Sequence, residues 1–97
     1  MFSDPKKVIG KVGITSGMKV ADVGAGSGQY TSASSALVGR EGKVYAIDIQ
    51  KDLLEKIKNE AGESGIGNIE IIWGDVEDSG GTGLSDGLVD VAILSNI

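Results

Sequence analysis

The sequence predicts an α/β protein built on a parallel sheet. Three observations carry that reading. Short, mostly apolar runs of strand length recur, as at Lys19 to Val23 and Lys43 to Ile49. Segments with helical spacing of apolar residues stand between them. Glycine-containing turns mark the junctions. Strands that alternate with helices imply parallel pairing and right-handed crossovers.

Taken in order, Asp4-Pro5 reads as a capped helix start, with Val8, Ile9 and Val12 on one face and Gly10 and Gly13 keeping it short. Thr15-Ser16-Gly17 is a turn. Lys19 to Val23 is the first strand, apolar enough for burial on both faces. Tyr30 to Val38 is a helix with Tyr30, Ala33, Leu37 and Val38 at helical spacing, ended by Gly39. Lys43 to Ile49 is the second strand. Asp52 to Ala61 is a helix whose buried stripe is Leu53, Leu54, Ile57 and Ala61, with Lys and Glu outside. Ile69 to Trp73 is the third strand. Asp75 to Gly87 shows no helical period, and Leu88 to Leu94 is the fourth strand, interrupted by Asp90.

Composition narrows the function. Ninety-seven residues form a single domain, 40% hydrophobic and 24% charged, with no apolar stretch of membrane-spanning length. The N-terminus lacks the apolar core of a secretory signal, so a cytoplasmic setting is expected. With no cysteine and no histidine, thiolate nucleophiles, zinc-thiolate sites and the usual general base are excluded, and no metal site is expected. The formal net charge of −5, with basic residues dispersed, argues against a nucleic-acid partner.

The stretch V-A-D-V-G-A-G-S-G, residues 20–28, is the most informative. A glycine run alone reads equally as a flexible joint. This one follows a buried-type strand and opens into a helix, where backbone N–H groups and the helix dipole favour a ligand. Alternate glycines also admit a ligand without a Cβ in the way. Dinucleotide folds want a third glycine or alanine where Gln29 stands, and no Gly-Lys-Ser/Thr follows, so neither the usual dinucleotide fingerprint nor a phosphate loop is present.

The pattern that is present, Asp22-Val23-Gly24-Ala25-Gly26-Ser27-Gly28, resembles the first motif of class I S-adenosylmethionine-dependent methyltransferases. V-Y-A-I-D-I, I-I-W-G-D-V and L-V-D-V-A-I-L-S-N resemble that family's second, third and fourth strands, in order and along nearly the whole chain. The likeness is greatest to the small-molecule-modifying branch that includes the quinone-biosynthesis type. It implies a truncated Rossmann-like three-layer fold, with a four-stranded parallel sheet in the order 3-2-1-4 and helices mainly on one face. Residues 1–97 would then be one cofactor-binding half-domain lacking the acceptor-binding half.

The resemblance also implies roles. Asp22 would draw in the methionine ammonium of S-adenosylmethionine, directly or through water, and alternatively caps its own turn. Gly24, Ala25, Gly26 and Gly28 would line the cofactor loop. Asp48 lies 24 positions after Gly24, near the spacing of about 20 of a ribose-binding acid, and alternatively caps the next helix. Ile49 would be a plate against adenine. Asp75 would accept from the adenine amino group, with Val76 N–H near a ring nitrogen, although Gly-Asp is also a common turn pair. Ser95 would face the methionine part. Trp73 reads as core or interface rather than as a cofactor platform.

No catalytic residue is assigned. The expected function is binding of S-adenosylmethionine or S-adenosylhomocysteine without efficient transfer by the chain alone. A non-catalytic oligomerising module and a binder of another nucleotide such as NAD are the alternatives. The open fourth-strand edge and a bare second sheet face predict a homo-oligomer, a dimer in the simplest case.

Overall fold

The computed structural model describes residues 13–26, 28–74 and 89–94. Its elements are β1 (Lys19–Val23), α1 (Gln29–Val38), β2 (Lys43–Asp48), α2 (Lys51–Glu63), β3 (Ile69–Trp73) and β4 (Val91–Leu94). The expected N-terminal helix and the Asp75 to Gly87 segment lie outside the described residues.

All strand pairs are parallel, in the order β3-β2-β1-β4. Val20 pairs with Val44 and with Val91, and Val44 pairs with Ile69, so the strands start nearly level. Level starts bring the ends of β1 and β2, with Asp22 and Asp48, to one edge of the sheet. Chain direction reverses its march across the sheet between β1 and β4, the switch point outside which open α/β sheets receive ligands.

Both helices pack on the same sheet face. Ala33 and Val38 of α1 meet Ile14, Val20 and Val44 in one cluster, while Leu54 and Ile57 of α2 meet Ala25 and Ala46 in another. The buried face of α1 differs from its apolar pattern. Thr31, Ser34 and Ser35 are buried beside Ala33 and Val38, whereas Leu37 is 38% exposed. Small hydroxyl residues let α1 lie close to the sheet. Asn68 serves the end of this helix, donating through Nδ2 to Ser35 O and Gly39 O at 3.0 and 2.9 Å. The carbonyls of the last turn thereby gain the donor that a helix C-terminus otherwise lacks.

The second sheet face is not bare along β1 and β2, contrary to expectation. Ala21, Val23, Tyr45 and Ile47 form a buried cluster there within the single chain, with Ile72 and Val89 packed against it. The Tyr45 ring supplies much of that cluster's bulk and is only 6% exposed. β4 is an edge strand among the described residues, as expected. Asp90 marks its start: Asp90 N donates to Lys19 O at 2.7 Å, and Lys19 N returns a bond to Asp90 Oδ2 at 2.8 Å. Among the described residues, no helix is long and apolar enough to cross a membrane.

Candidate functional site

The glycine loop is held in a left-handed backbone at alternate positions. Gly24, Gly26 and Gly28 have φ of 73°, 58° and 86°. A side chain is strained at such angles, which accounts for the spacing of the three glycines. Gly28 is also the N-cap of α1, and a Cβ there would lie 2.9 Å from Ile57 Cγ1 on α2.

The loop's described amides at 24, 25, 26 and 28 bond within the protein. Gly24 N and Ala25 N both donate to Ile47 O, at 2.8 and 3.0 Å, and Gly28 N closes a turn onto Ala25 O at 3.0 Å. Gly26 N donates to Asp48 Oδ2 at 2.9 Å. Four amides that would cradle a phosphate in a dinucleotide fold are thus already spent. This differs from the sequence expectation that converging N–H groups meet the ligand. β2 lies close enough to the loop for its own carbonyl and carboxylate to take them.

Asp48 is only 8% exposed and accepts one bond on each oxygen: Gly26 N on Oδ2, and Gln50 N on Oδ1 at 2.8 Å. The N-cap of α2 is Gln50 rather than Asp48. A carboxylate has about four acceptor positions, so two remain for further hydroxyl donors. Ile49, next along, is 61% exposed, as an apolar plate for a ring would have to be.

Asp22 is fully buried. Its Oδ2 accepts the Thr31 hydroxyl at 2.7 Å, and Thr31 is fully buried too. The structure therefore gathers Asp22, Gly24, Ala25, Gly26, Gly28, Asp48 and Ile49 at one end of β1 and β2. Asp75, Val76 and Ser95 lie outside the described residues.

Two further residues belong to this corner. Thr31 was hidden in a run of mediocre helix formers, its only signal being that it opens a helix after the loop. Trp73 is 64% exposed and so is not core; its Nε1 donates to Ile49 O at 2.9 Å, while Lys51 Nζ stands 5.5 Å from the ring centroid. Trp73 thus fixes the backbone beside Asp48 from the neighbouring strand. A cleft of about 700 Å³ between the end of α1 and the start of β3 lies at the opposite end of the strands. Arg40, Lys43 and Asn68 line it, and no acid does among the described residues. Among the described residues, no cluster of three His, Cys, Asp or Glu side chains is placed to hold a metal ion.

Known proteins resemble this chain in sequence and fold. A family model described as a methyltransferase domain matches residues 14–97. A protein-L-isoaspartate O-methyltransferase of Methanococcus maripaludis is 41% identical over 59 residues, which cover 61% of this chain and 28% of that protein. A demethylmenaquinone methyltransferase of Staphylococcus aureus is 36% identical over 70 residues, covering 72% of this chain and 28% of the relative. The crystal structure of a SAM-dependent methyltransferase from Aquifex aeolicus superposes with a TM-score of 0.81 at 36% identity, over 92% of this chain and 46% of that one. The chain thus spans between about a quarter and a half of the length of these relatives. With the strand order, the alternating glycines and the paired strand-tip acids, these likenesses place the chain in the class I S-adenosylmethionine-dependent methyltransferase family.

Proposed function

We propose that the chain binds S-adenosylmethionine and S-adenosylhomocysteine at the carboxyl ends of β1 and β2, as the cofactor-binding part of a methyltransferase. The observation that carries this reading is the corner formed by Gly26, Asp48 and Ile49. A loop without side chains approaches a carboxylate with spare acceptor positions, beside an exposed apolar residue. Asp48 accepts the ribose hydroxyls, and Ile49 covers one face of adenine. Gly24, Ala25, Gly26 and Gly28 shape the loop along which the methionine part lies, with Asp22 at its base. From the motif resemblance, Asp75 and Val76 serve the adenine edge, and Ser95 the amino-acid end. The cofactor, when bound, supplies an electrophilic methyl group on sulfur.

The spent amides favour this ligand over NAD or ATP. A phosphorylated nucleotide needs N–H groups directed outward, and four in this loop are engaged by Ile47, Asp48 and Ala25. Methyl transfer further requires an acceptor held in line with the sulfonium methyl. The matched region covers less than half of each compared relative, which supports cofactor binding with little turnover by this chain alone.

Amide chemical-shift mapping during titration with S-adenosylhomocysteine tests the placement. Shifts concentrated at 24–28 and 48–50 support it. Shifts confined to the cleft at Arg40, Lys43 and Asn68 would move the site to the other end of the sheet. The edge position of β4 carries a second, compatible reading, that the chain self-associates by strand pairing.

A further inference from the structure

We propose that Asp22 and Thr31 form a clasp that holds the glycine loop in its cofactor-receiving shape, so that Asp22 acts through the loop rather than by touching the cofactor's ammonium. The inference rests on the cofactor reading above for its functional meaning, and on geometry for its mechanism.

Asp22 is the last but one residue of β1, and Thr31 stands in the first turns of α1. The hydroxyl of Thr31 donates to Asp22 Oδ2 at 2.7 Å, closing the segment from 23 to 30 into a ring that contains every glycine of the motif. Both residues have no solvent-accessible surface. A carboxylate with no exposed surface offers no face to a ligand arriving from solvent, whereas its bond to Thr31 is short and charge-assisted. Burying a carboxylate is costly unless hydrogen bonds hold it, so this bond is worth more than a surface contact of the same length.

The clasp complements the strut from the other strand. Asp48 holds the loop's middle through Gly26 N, and Asp22 holds its two ends together through Thr31. Between these carboxylates the three left-handed glycines are fixed before any ligand arrives. Pre-formed shape lowers the ordering cost of binding. Thr31 is thus a positioning residue.

The experiment compares two ligands in the intact chain. S-adenosylhomocysteine carries the amino-acid part, and 5′-methylthioadenosine lacks it. Titration calorimetry is run on wild type, D22N, T31V, T31S and the double variant D22N/T31V, with amide hydrogen exchange on each.

A clasp predicts that D22N and T31V weaken both ligands by a similar factor, about tenfold for the loss of one buried charge-assisted bond. The double variant weakens them no further than the stronger single, and T31S stays near wild type. Exchange at Gly24, Ala25 and Gly26 quickens while that of Val44 and Ile47 is unchanged, a split that general loss of stability would not give. If D22N weakens only S-adenosylhomocysteine, Asp22 meets the ammonium and the proposal is overturned. Wild-type affinity and unchanged loop exchange in T31V overturn it equally. Should T31V not fold, T31S against T31C repeats the test with near-isosteric side chains, and equal loop exchange in the two contradicts the clasp. If wild type binds neither ligand, the cofactor reading fails, and the exchange data alone decide the clasp.

Discussion

Gly26 and Asp48 are 22 residues apart in sequence and joined by one hydrogen bond of 2.9 Å, from the loop's backbone to the carboxylate at the end of β2. This bond makes the acid both a wall of the proposed pocket and a strut of the loop opposite. Replacement of Asp48 therefore has two separable consequences. Asp48→Ala leaves Gly26 N and Gln50 N without their acceptor, at about 1–3 kcal/mol for each group that stays buried. Asp48→Asn keeps one acceptor oxygen and the side-chain volume. The expected outcome is a melting temperature lowered by several degrees in the alanine variant and by less in the asparagine variant. Affinity for S-adenosylhomocysteine falls at least tenfold in both, because the ribose loses its carboxylate. Thermal denaturation by circular dichroism and titration calorimetry check the two effects.

Gly28 couples the loop to α2. Its φ of 86° and the 2.9 Å approach of a hypothetical Cβ to Ile57 Cγ1 both oppose any side chain. Gly28→Ala is expected to destabilise by about 1–3 kcal/mol through backbone strain, with the contact adding to it. At this chain length each kcal/mol lowers the melting temperature by about 4–8 °C. Truncating the facing side chain past Cγ1 removes that contact, so the combined loss in G28A/I57A should be smaller than the sum of the two single losses, with the strain remaining. Equal melting curves for G28A and wild type would contradict this packing.

Asn68 ties the end of α1 to the start of β3. Asn68→Ala removes the donor to Ser35 O and Gly39 O, and the partner of Ser35 Oγ. The expected loss is about 1–3 kcal/mol, read from chemical denaturation. Because this residue lies far from the ends of β1 and β2, affinity for S-adenosylhomocysteine in the folded variant should stay within about twofold, since distant sites act independently.

The edge position of β4 among the described residues predicts association. Size-exclusion chromatography with light scattering is expected to show a species heavier than the monomer, with its fraction rising with concentration. A monomer over the whole accessible concentration range would contradict pairing through this edge.

Much of this arrangement is legible in the sequence. The bounds of β1 and β3 follow from their apolar runs, and the strand-tip positions of Asp22 and Asp48 follow from acids that close those runs. What escapes a linear reading is where polar groups turn inward. Leu37 has the apolar character of a buried position yet is exposed, while Ser34, Ser35 and Thr31 are buried. Hydrophobic spacing cannot anticipate this, because those hydroxyl residues are accommodated by close approach to the sheet, and two of them bond acids or amides brought from elsewhere in the fold. Similarly, the motif resemblance marks Asp22 and Asp48 as ligand contacts but cannot show that their carboxylates accept from Thr31 and from the Gly26 amide. The sequence predicts a bare second sheet face, yet Tyr45 and Ile47 pack into a buried cluster there, because coverage depends on tertiary neighbours rather than on strand pattern.

The most direct test of the central claim is titration calorimetry of this chain with S-adenosylhomocysteine beside NAD. One saturable site for the sulfur nucleoside, and no measurable heat of binding for the dinucleotide, is the predicted result. A folded chain that takes up NAD as well as or better than S-adenosylhomocysteine, or that takes up neither, would contradict it.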